Sequence, residues 1–472
     1  MNTWTLLQGG TVLLGPNGSI EQDSAVLVKD QHITAVGRDV TIERVPRGEP
    51  VEIIDARHKT VMPGLIDAHC HLTYGESRTQ EEQDLYTSVE SRTLRAAWNV
   101  KKMLRAGVTS LSQPGGSYFI GVAIRDAIES GMLEGPRVFT AGRYITTSNG
   151  LADFYPTSVG VPEGSIGKVA NTQDEMLAEV RTQVKNGVDL IKLADSPYGE
   201  YQAFMPDELK RMAELTHQLN RRITIHARGS AEVDAAVAAG FDWIMHGNVM
   251  TDEVIGRLAA SKIPLVPTLL LLANFADWGH LVGVPIGSRD GSRRMLDKTA
   301  DTLHRAHAAG VHFVTGSDTG FAVTPYGEWH ARELELLMEY AGLDSLEAIR
   351  AATVDAACTV GLSGEVGELR PGMLADIIVI DGDPIANIRV LQEKEKIVTV
   401  IKGGRIIDFD PDQDLIRWPH DRAQIQSVGE LTREVVWGAD VHAAPFESRS
   451  PAAASESPLA PPKTSTERSH AD

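Results

Sequence analysis

The sequence predicts an α/β protein: a (β/α)8 TIM barrel with a small β-sandwich domain built from the N- and C-terminal segments. Three observations support this fold class. Between residues 61 and 364, strand-like apolar runs alternate with amphipathic helical stretches. Many of these runs are continuously apolar, as expected for parallel strands that are buried on both faces. Strand signals flank this region on both sides, so we predict a composite small domain from residues 1–60 and 365–425 and a barrel from residues 61–364.

The individual elements follow from turn residues and hydrophobic periodicity. β-rich runs separated by Gly, Asn and Asp predict strands at residues 6–14, 24–29 and 32–36. The barrel strands are predicted at residues 61–71, 108–113, 137–145, 188–194, 222–227, 242–246, 264–271 and 311–316. The main helices are predicted at residues 83–106, 172–186, 206–220, 293–309, 328–340 and 345–360. Pro206 and the two acidic residues after it favour a helix start, since Pro suits the first turn and acids suit the N-terminal dipole.

The C-terminal part of the chain divides into two regions. Strand signals return at residues 376–381, 398–402 and 405–408, which complete the predicted small domain. Residues 442–472 are rich in Ala, Pro and Ser, a composition that predicts a disordered tail.

Composition excludes several classes of partner. The chain has 472 residues, with 45 Lys+Arg against 64 Asp+Glu, so its formal net charge is −19. That charge disfavours nucleic acid and anionic membranes, and no apolar run is long enough to span a bilayer. The two cysteines, Cys70 and Cys358, cannot form a disulfide framework, which favours a reducing compartment. With no targeting segment visible, we expect a cytoplasmic protein that acts on a small molecule.

Polar side chains end several of the predicted barrel strands. In such barrels the reactive groups lie at the C-terminal ends of the strands. Strand 1 ends in Asp67-Ala68-His69-Cys70-His71, and side-chain alternation points His69 and His71 to one side. The further candidates at strand ends are Lys192, His226, His246 and Asp318. Any one of them alone would suggest a hydrogen-bonded structural residue, but their joint placement predicts a metal site.

This pattern resembles the amidohydrolase superfamily. The His-x-His motif follows Pro63-Gly64-Leu65-Ile66-Asp67, and Lys, His, His and Asp follow on strands 4, 5, 6 and 8. The segment AAVAAGFDWIMHG resembles the approach to strand 6 in the imidazolonepropionase-like branch, and GEVGELRPGMLADIIVID resembles that branch's return to its β domain. Within the branch the chain looks similar to phenylurea and molinate hydrolases, and also to Xaa-Pro dipeptidases and ochratoxin amidohydrolases. The resemblance covers roughly residues 1–410.

The resemblance implies a binuclear metal centre. It assigns His69, His71 and Asp318 to the more buried ion and His226 and His246 to the second. Lys192 would bridge both ions as a carboxylated lysine, and the centre would hold one ion if that lysine stays unmodified. Zinc is the first expectation, with manganese or cobalt as alternatives. A metal-bound hydroxide would attack the substrate carbonyl, and Asp318 would act as general base and then as general acid.

The substrate contacts are less constrained. The loop after strand 3 lacks the His that many relatives carry there, so Ser148 or Asn149 could replace it. Arg228 and Asn248 lie two residues beyond His226 and His246, and Arg228 could bind a substrate carboxylate or pair with a structural acid. Aromatic residues in the predicted βα loops could line an apolar pocket or only pack the barrel rim: Tyr74, Tyr118, Phe119, Phe154, Tyr155, Phe275, Trp278, Phe321 and Trp329.

Three functions remain open at this level. The first is a metal-dependent hydrolase of an amide, urea or carbamate C–N bond in a small apolar or aryl molecule, of the kind that degrades xenobiotics. The second is an Xaa-Pro or N-acyl amino acid metallopeptidase of the same superfamily, and the third is a catalytically inactive barrel scaffold. The resemblance also implies a homo-oligomer.

Overall fold

The computed structural model describes residues 3–15, 18–408 and 429–438. The predicted disordered tail and the end of the predicted small domain, residues 409–425, lie outside the described residues. Within these residues, none of the helices combines the length and the apolar composition of a membrane-spanning segment.

Strands dominate both ends of the chain and alternate with helices between them. In chain order the strands are β1 (Trp4–Val12), β2 (Glu21–Lys29), β3 (His32–Gly37), β4 (Val51–Asp55), β5 (Thr60–Pro63), β6 (Leu65–Asp67), β7 (Val108–Gln113), β8 (Arg137–Thr140), β9 (Tyr144–Thr146), β10 (Gly167–Val169), β11 (Leu190–Ala194), β12 (Arg222–Ala227), β13 (Trp243–His246), β14 (Leu265–Val266), β15 (Ile377–Ile380), β16 (Ile397–Lys402) and β17 (Arg405–Ile406). The helices are α1 (Val89–Arg105), α2 (Ile120–Glu129), α3 (Gln173–Lys185), α4 (Pro206–Gln218), α5 (Ser230–Ala239), α6 (Asp252–Ser261), α7 (Leu270–Trp278), α8 (Ile286–Ala308), α9 (Arg332–Ala341), α10 (Ser345–Ala351) and α11 (Arg433–Trp437).

The two ends of the chain form one β domain, which confirms the composite organisation in the predicted fold class. Its sheet has the order β17-β16-β15-β5-β1-β2-β3, with β4 paired to β1. The N- and C-terminal parts meet where β5 pairs antiparallel with β15, in register Val61 to Val379. β5 belongs to this sheet, so β6 is the first strand of the barrel. Gly64 marks the turn: a Cβ there would lie 2.2 Å from the Thr109 hydroxyl, so a side chain does not fit.

The parallel strands of the middle region close into a barrel. One sheet runs β6-β7-β8 and the other runs β10-β9-β11-β12-β13-β14. Closure on one side comes from residues 311–316, where Val314 N donates to Leu265 O and Ala68 N donates to Thr315 O, both at 2.9 Å. On the other side, Asp189 N donates to Thr140 O at 2.8 Å, which joins β8 to the chain entering β11. All strands therefore direct their C-terminal ends to one face.

Four predicted barrel strands differ from the observed ones. The predicted strand 61–71 is divided between β5 of the β domain and β6, which ends at Asp67 before the two histidines. The predicted strand 137–145 is two strands, because Ala141 bonds to Gln113 on β7 while Tyr144 bonds to Ile166 beside β10. The predicted strand 264–271 is only β14, since the chain enters α7 at Leu270. Residues 311–316 are bonded to both neighbours but form no regular strand.

Several helix boundaries also differ. α1 begins at Val89, since the Ser88 side chain accepts a hydrogen bond from Ser91 N. A π-helical turn at Glu82–Tyr86 precedes it. α8 begins earlier than predicted, directly after Pro285, and α10 ends at Ala351, before a separate 3₁₀ turn.

Candidate metal centre

The strand ends bring the six predicted metal ligands to one face of the barrel. His69 and His71 follow β6, Lys192 lies within β11, and the remaining three lie in or after their strands: His226, His246 and Asp318. All six side chains are buried. Non-glycine residues in the left-handed region mark two of these positions, with φ of +76° at His246 and +52° at Asp318. Such backbone strain is often stored at functional sites.

His69, His71 and Asp318 form a compact cluster. Each offers one ligand atom, and these atoms all lie within 4.8 Å of one another. The two Nε2 atoms are 3.2 Å apart. A carboxylate oxygen of Asp318 lies 3.0 Å from Nε2 of His71 and 3.5 Å from Nε2 of His69.

Hydrogen bonds on the far side of each ring leave the Nε2 atoms free for a cation. Nδ1 of His71 lies 2.7 Å from the Gly115 carbonyl, which only accepts, so this nitrogen carries the proton. Nδ1 of His69 lies 3.0 Å from the Thr268 hydroxyl, which itself lies 3.2 Å from the Val266 carbonyl and donates to it. The Nε2 atoms of both rings therefore point toward each other and toward the Asp318 carboxylate. Two imidazole nitrogens and one carboxylate oxygen at this spacing are a donor set that fits a divalent metal.

His226 and His246 form a second group beside the first. Their ring centres are 4.3 Å apart, and the ring of His246 lies 5.3 Å from that of His69. Nε2 of His226 and both ring nitrogens of His246 are buried without a hydrogen-bond partner among the described residues. Burial lowers the pKa of both imidazoles well below the usual value, which keeps them neutral. Neutral buried imidazoles with unused lone pairs are suited to metal ligation.

Lys192 is enclosed at the centre of the site. Its Nζ lies 2.6 Å from Sδ of Met245. Burial lowers the pKa of the Lys192 amine to about 7, against the opposing effect of the Asp318 carboxylate and with Arg228 acting in the same direction as burial. A large fraction of this lysine is therefore neutral near pH 7, and the neutral amine is the form that can react with CO₂.

Asp67 and its hydrogen-bond partners hold the candidate ligands in place. Asp67 accepts hydrogen bonds from His69 N at 3.1 Å and Ser317 N at 3.0 Å. Nδ1 of His330 lies 2.7 Å from the same carboxylate. Asp67 thus ties the first ligand strand to the residue before Asp318. Asp67 was visible as part of the strand-1 motif, whereas nothing in the sequence links it to His330, 263 residues away.

Arg228 and Asn248 lie together at the edge of the site. The Arg228 guanidinium donates to the Asn248 side-chain oxygen at 2.7 Å, and the Asn248 amide donates to the Thr299 hydroxyl at 2.9 Å. Among the described residues, no carboxylate lies within ion-pair distance of the Arg228 guanidinium. Its Nε is buried without a partner. The guanidinium is therefore oriented by an amide, and the carboxylates of Asp318 and Glu232 act on it by longer-range electrostatics without a contact ion pair.

The remaining predicted substrate contacts are engaged elsewhere. Ser148 and Asn149 are exposed; Ser148 pairs with Asn171, and Asn149 N donates to Asp153 at 2.8 Å. The Tyr155 hydroxyl lies 3.3 Å from an Asp84 carboxylate oxygen. These hydrogen bonds join the three residues to Asn171, Asp153 and Asp84 and not to the candidate metal ligands, so their role in substrate binding stays a prediction.

The loop aromatics divide between the site and the rim. The Tyr74 ring stacks on His71, with centroids 4.1 Å apart and an interplanar angle of 3°. Trp329 is fully buried against Trp278 and Trp437, so it packs the rim. Phe275 lines a cavity next to Arg228. Phe321 contacts the Tyr74 ring and packs in the same apolar cluster as Phe275, so the substrate role of these aromatic residues stays a prediction.

Comparison with known proteins agrees with this architecture. The chain is 28% identical over 433 residues to ochratoxinase from Aspergillus niger, covering 85% of this chain and 86% of that one. It superposes with a TM-score of 0.76 on the crystal structure of a prolidase complexed with N-methylphosphonate-L-proline, at 26% identity, covering 86% of this chain and 100% of the prolidase. Molinate hydrolase superposes with a TM-score of 0.70 at 21% identity, covering 90% and 99% of the two chains, which shows a shared fold. The sequence signature of the amidohydrolase family matches residues 60–407. The protein is therefore a TIM-barrel hydrolase that belongs to the amidohydrolase family.

Proposed function

We propose that the protein is a metal-dependent amidohydrolase that cleaves the amide C–N bond of a small molecule carrying a carboxylate, such as an N-acyl amino acid or a dipeptide. The observation that carries this proposal is Arg228, a guanidinium at the edge of the site that is held by Asn248 and has no carboxylate partner within the described residues. A bidentate carboxylate is the natural partner of such a group. Ochratoxinase and the prolidase bound to a proline derivative are relatives whose names are compatible with this substrate class.

The six buried strand-end residues are proposed to hold two divalent ions. His69, His71 and Asp318 would bind the first, and His226 and His246 the second, with Lys192 between them as a carbamate. Zinc is the first candidate, while manganese and cobalt also suit a site of imidazoles and carboxylates. A bound divalent ion supplies Lewis acidity and lowers the pKa of water near it.

The chain's own residues would orient the substrate and move the proton. Arg228 holds the carboxylate and so positions the amide beside the His69, His71 and Asp318 cluster. Asp318 takes a proton from the attacking water at its carboxylate and returns it to the departing nitrogen. The Tyr74 ring on His71 covers one side of the site and excludes bulk water there.

A neutral aryl urea or carbamate is the second candidate. The apolar cavity that begins at Arg228 is the observation that favours it, since such a wall would suit an aryl group. The likeness to molinate hydrolase, at 21% identity, supports the common fold and does not separate the two candidates.

A matched substrate pair separates them. Full-length protein loaded with zinc in bicarbonate buffer is assayed on N-benzoyl-L-leucine and on its uncharged carboxamide, together with an N-aryl urea. We expect the acid to be preferred. Arg228→Met should reduce kcat/KM for the acid by roughly 10–100-fold and leave the carboxamide nearly unchanged, since a charged hydrogen bond contributes about 1.5–3 kcal/mol.

Two controls complete the experiment. Arg181→Met removes an exposed helical arginine that donates to the Leu177 carbonyl one turn earlier, and should behave as the parent protein. Asp318→Asn should abolish turnover of every substrate and lower the metal content measured by mass spectrometry. If the protein hydrolyses the urea and Arg228→Met leaves kcat/KM unchanged, the substrate is a neutral urea or carbamate and not a carboxylate. Absence of both stoichiometric metal and turnover would refute the hydrolytic proposal.

A further inference from the structure

A cavity of about 510 Å³ opens directly beside Arg228. Its walls come from α7 and α8, from the turn between them, and from Tyr198 in the loop after β11. Apolar side chains provide most of the lining, among them Leu271, Phe275, Val284 and Met295. We call this cavity the α7–α8 pocket. Its size lies within the range of pockets that bind small organic ligands.

Arg228 is the only cation in the lining of this pocket, within the part of the chain that the structure describes. Because the guanidinium is bonded to Asn248, and both residues follow metal-ligand strands, the charged end of the pocket lies on the side of the metal cluster. A molecule whose carboxylate reaches Arg228 therefore has its α-carbon at the entrance of an apolar chamber. A proline ring or a methyl group would leave most of the apolar wall uncovered.

We infer that the α7–α8 pocket receives the side chain of the amino acid half of the substrate, and that the protein prefers N-acyl amino acids with a large apolar or aromatic side chain. This inference rests on the proposed function. Each buried methylene contributes roughly fourfold to binding, so leucine and phenylalanine derivatives should exceed the alanine derivative by roughly 30–100-fold in kcat/KM.

The test compares N-acetyl derivatives of L-alanine, L-proline, L-leucine and L-phenylalanine on the zinc-loaded full-length protein. Two variants narrow the pocket: Met295→Trp fills it from α8, and Ser288→Trp adds bulk at an exposed lining position where folding should not suffer. Either variant should lower kcat/KM for the leucine and phenylalanine derivatives at least tenfold and leave the alanine derivative within about twofold. Met132→Trp, at an exposed position after α2, is the matched control.

Direct binding of the free amino acid separates this inference from the proposed function. Calorimetric titration with L-phenylalanine and L-alanine requires no turnover. Tighter binding of phenylalanine, lost in the two pocket variants, supports the pocket even if no N-acyl amino acid is hydrolysed, in which case the proposed function alone fails. Equal binding of the two amino acids, or a rate that follows the acyl group and not the amino acid side chain, would overturn the inference.

Discussion

At the scale of single residues, the Thr268 hydroxyl sets which ring nitrogen of His69, a proposed metal ligand, carries the proton. Its hydroxyl donates to Val266 O and so offers a lone pair to Nδ1 of His69 at 3.0 Å. That arrangement requires the proton on Nδ1 and leaves Nε2 for the cation. Thr268 itself has φ of +56°, a conformation that a β-branched residue adopts only under constraint. The backbone in this conformation places the Thr268 hydroxyl within hydrogen-bond distance of His69.

We predict that Thr268→Val weakens metal binding roughly 10–100-fold, because valine keeps the shape and removes the acceptor that selects the His69 tautomer. Zinc affinity is measured by competition with a chelator on the purified apoprotein. Thr182→Val is the matched control, since that hydroxyl donates to the Ala178 carbonyl one helical turn earlier. Unchanged affinity in Thr268→Val would show that His69 keeps its tautomer without this hydrogen bond.

At the scale of elements, a buried carboxylate ends β14 and begins α7. Glu333 on α9 accepts hydrogen bonds from Leu269 N and Leu270 N, at distances of 2.9 and 3.0 Å. These are N–H groups of the first turn of α7 that the helix itself cannot satisfy. Burial raises the pKa of Glu333 to about 8, while these two backbone hydrogen bonds favour its charged form. Residues 264–271, predicted as one eight-residue strand, instead form β14 and the start of α7, whose first N–H groups bond to a side chain 63 residues away.

We predict that Glu333→Gln lowers the free energy of unfolding of the metal-free protein by about 1–3 kcal/mol, since the amide NH₂ then faces a backbone N–H that has lost its acceptor. Urea denaturation followed by circular dichroism gives the value. Glu214→Gln, at an exposed position on α4, should change it by less than about 0.5 kcal/mol. Equal effects of the two substitutions would mean that Glu333 does not hold the start of α7.

At the scale of the whole molecule, one cluster of charges joins the barrel to the β domain. Arg137 on β8 makes two hydrogen bonds to Asp376, at 3.0 and 3.1 Å, just before β15. Asp376 also accepts from Gly403 N in the turn after β16. Lys402 lies beside this pair, and burial together with the nearby Arg137 lowers its pKa to about 8. The folded state therefore disfavours the charged form of Lys402 at this junction.

We predict that Lys402→Met raises the free energy of unfolding at pH 7 by about 1–3 kcal/mol. In the parent protein the folded state releases the Lys402 proton near pH 8 and the unfolded state near pH 10.5, so stability should rise between these values. The variant should lack that rise. Guanidinium titrations from about pH 7 to about pH 10 test both points, with the exposed Lys298→Met as control. A parent protein whose stability does not rise across this interval would contradict the assignment.

Local sequence patterns predict much of this architecture. Alternating apolar runs and helical stretches predict the barrel because period and length are local properties of a strand or helix. The end of each strand can be read directly, so the sequence alone is enough to choose the six candidate ligands: His69, His71, Lys192, His226, His246 and Asp318. Parallel strands in a barrel share one polarity, and this topological rule brings residues from distant strands to one face.

The tertiary structure alone decides which side chains complete that site. Thr268, His330 and Glu333 act through hydrogen bonds to residues 199, 263 and 63 or 64 positions away, and hydrogen bonds at such separations leave no periodic trace in a single sequence. The contacts of the Arg228 side chain are likewise decided by the tertiary structure. From the sequence it could equally bind a structural acid or a substrate, and only the folded chain gives it Asn248 and an apolar pocket in place of a carboxylate. Local patterns therefore determine the barrel and its candidate ligands, whereas packing between distant elements determines their protonation, their support and the pocket beside them.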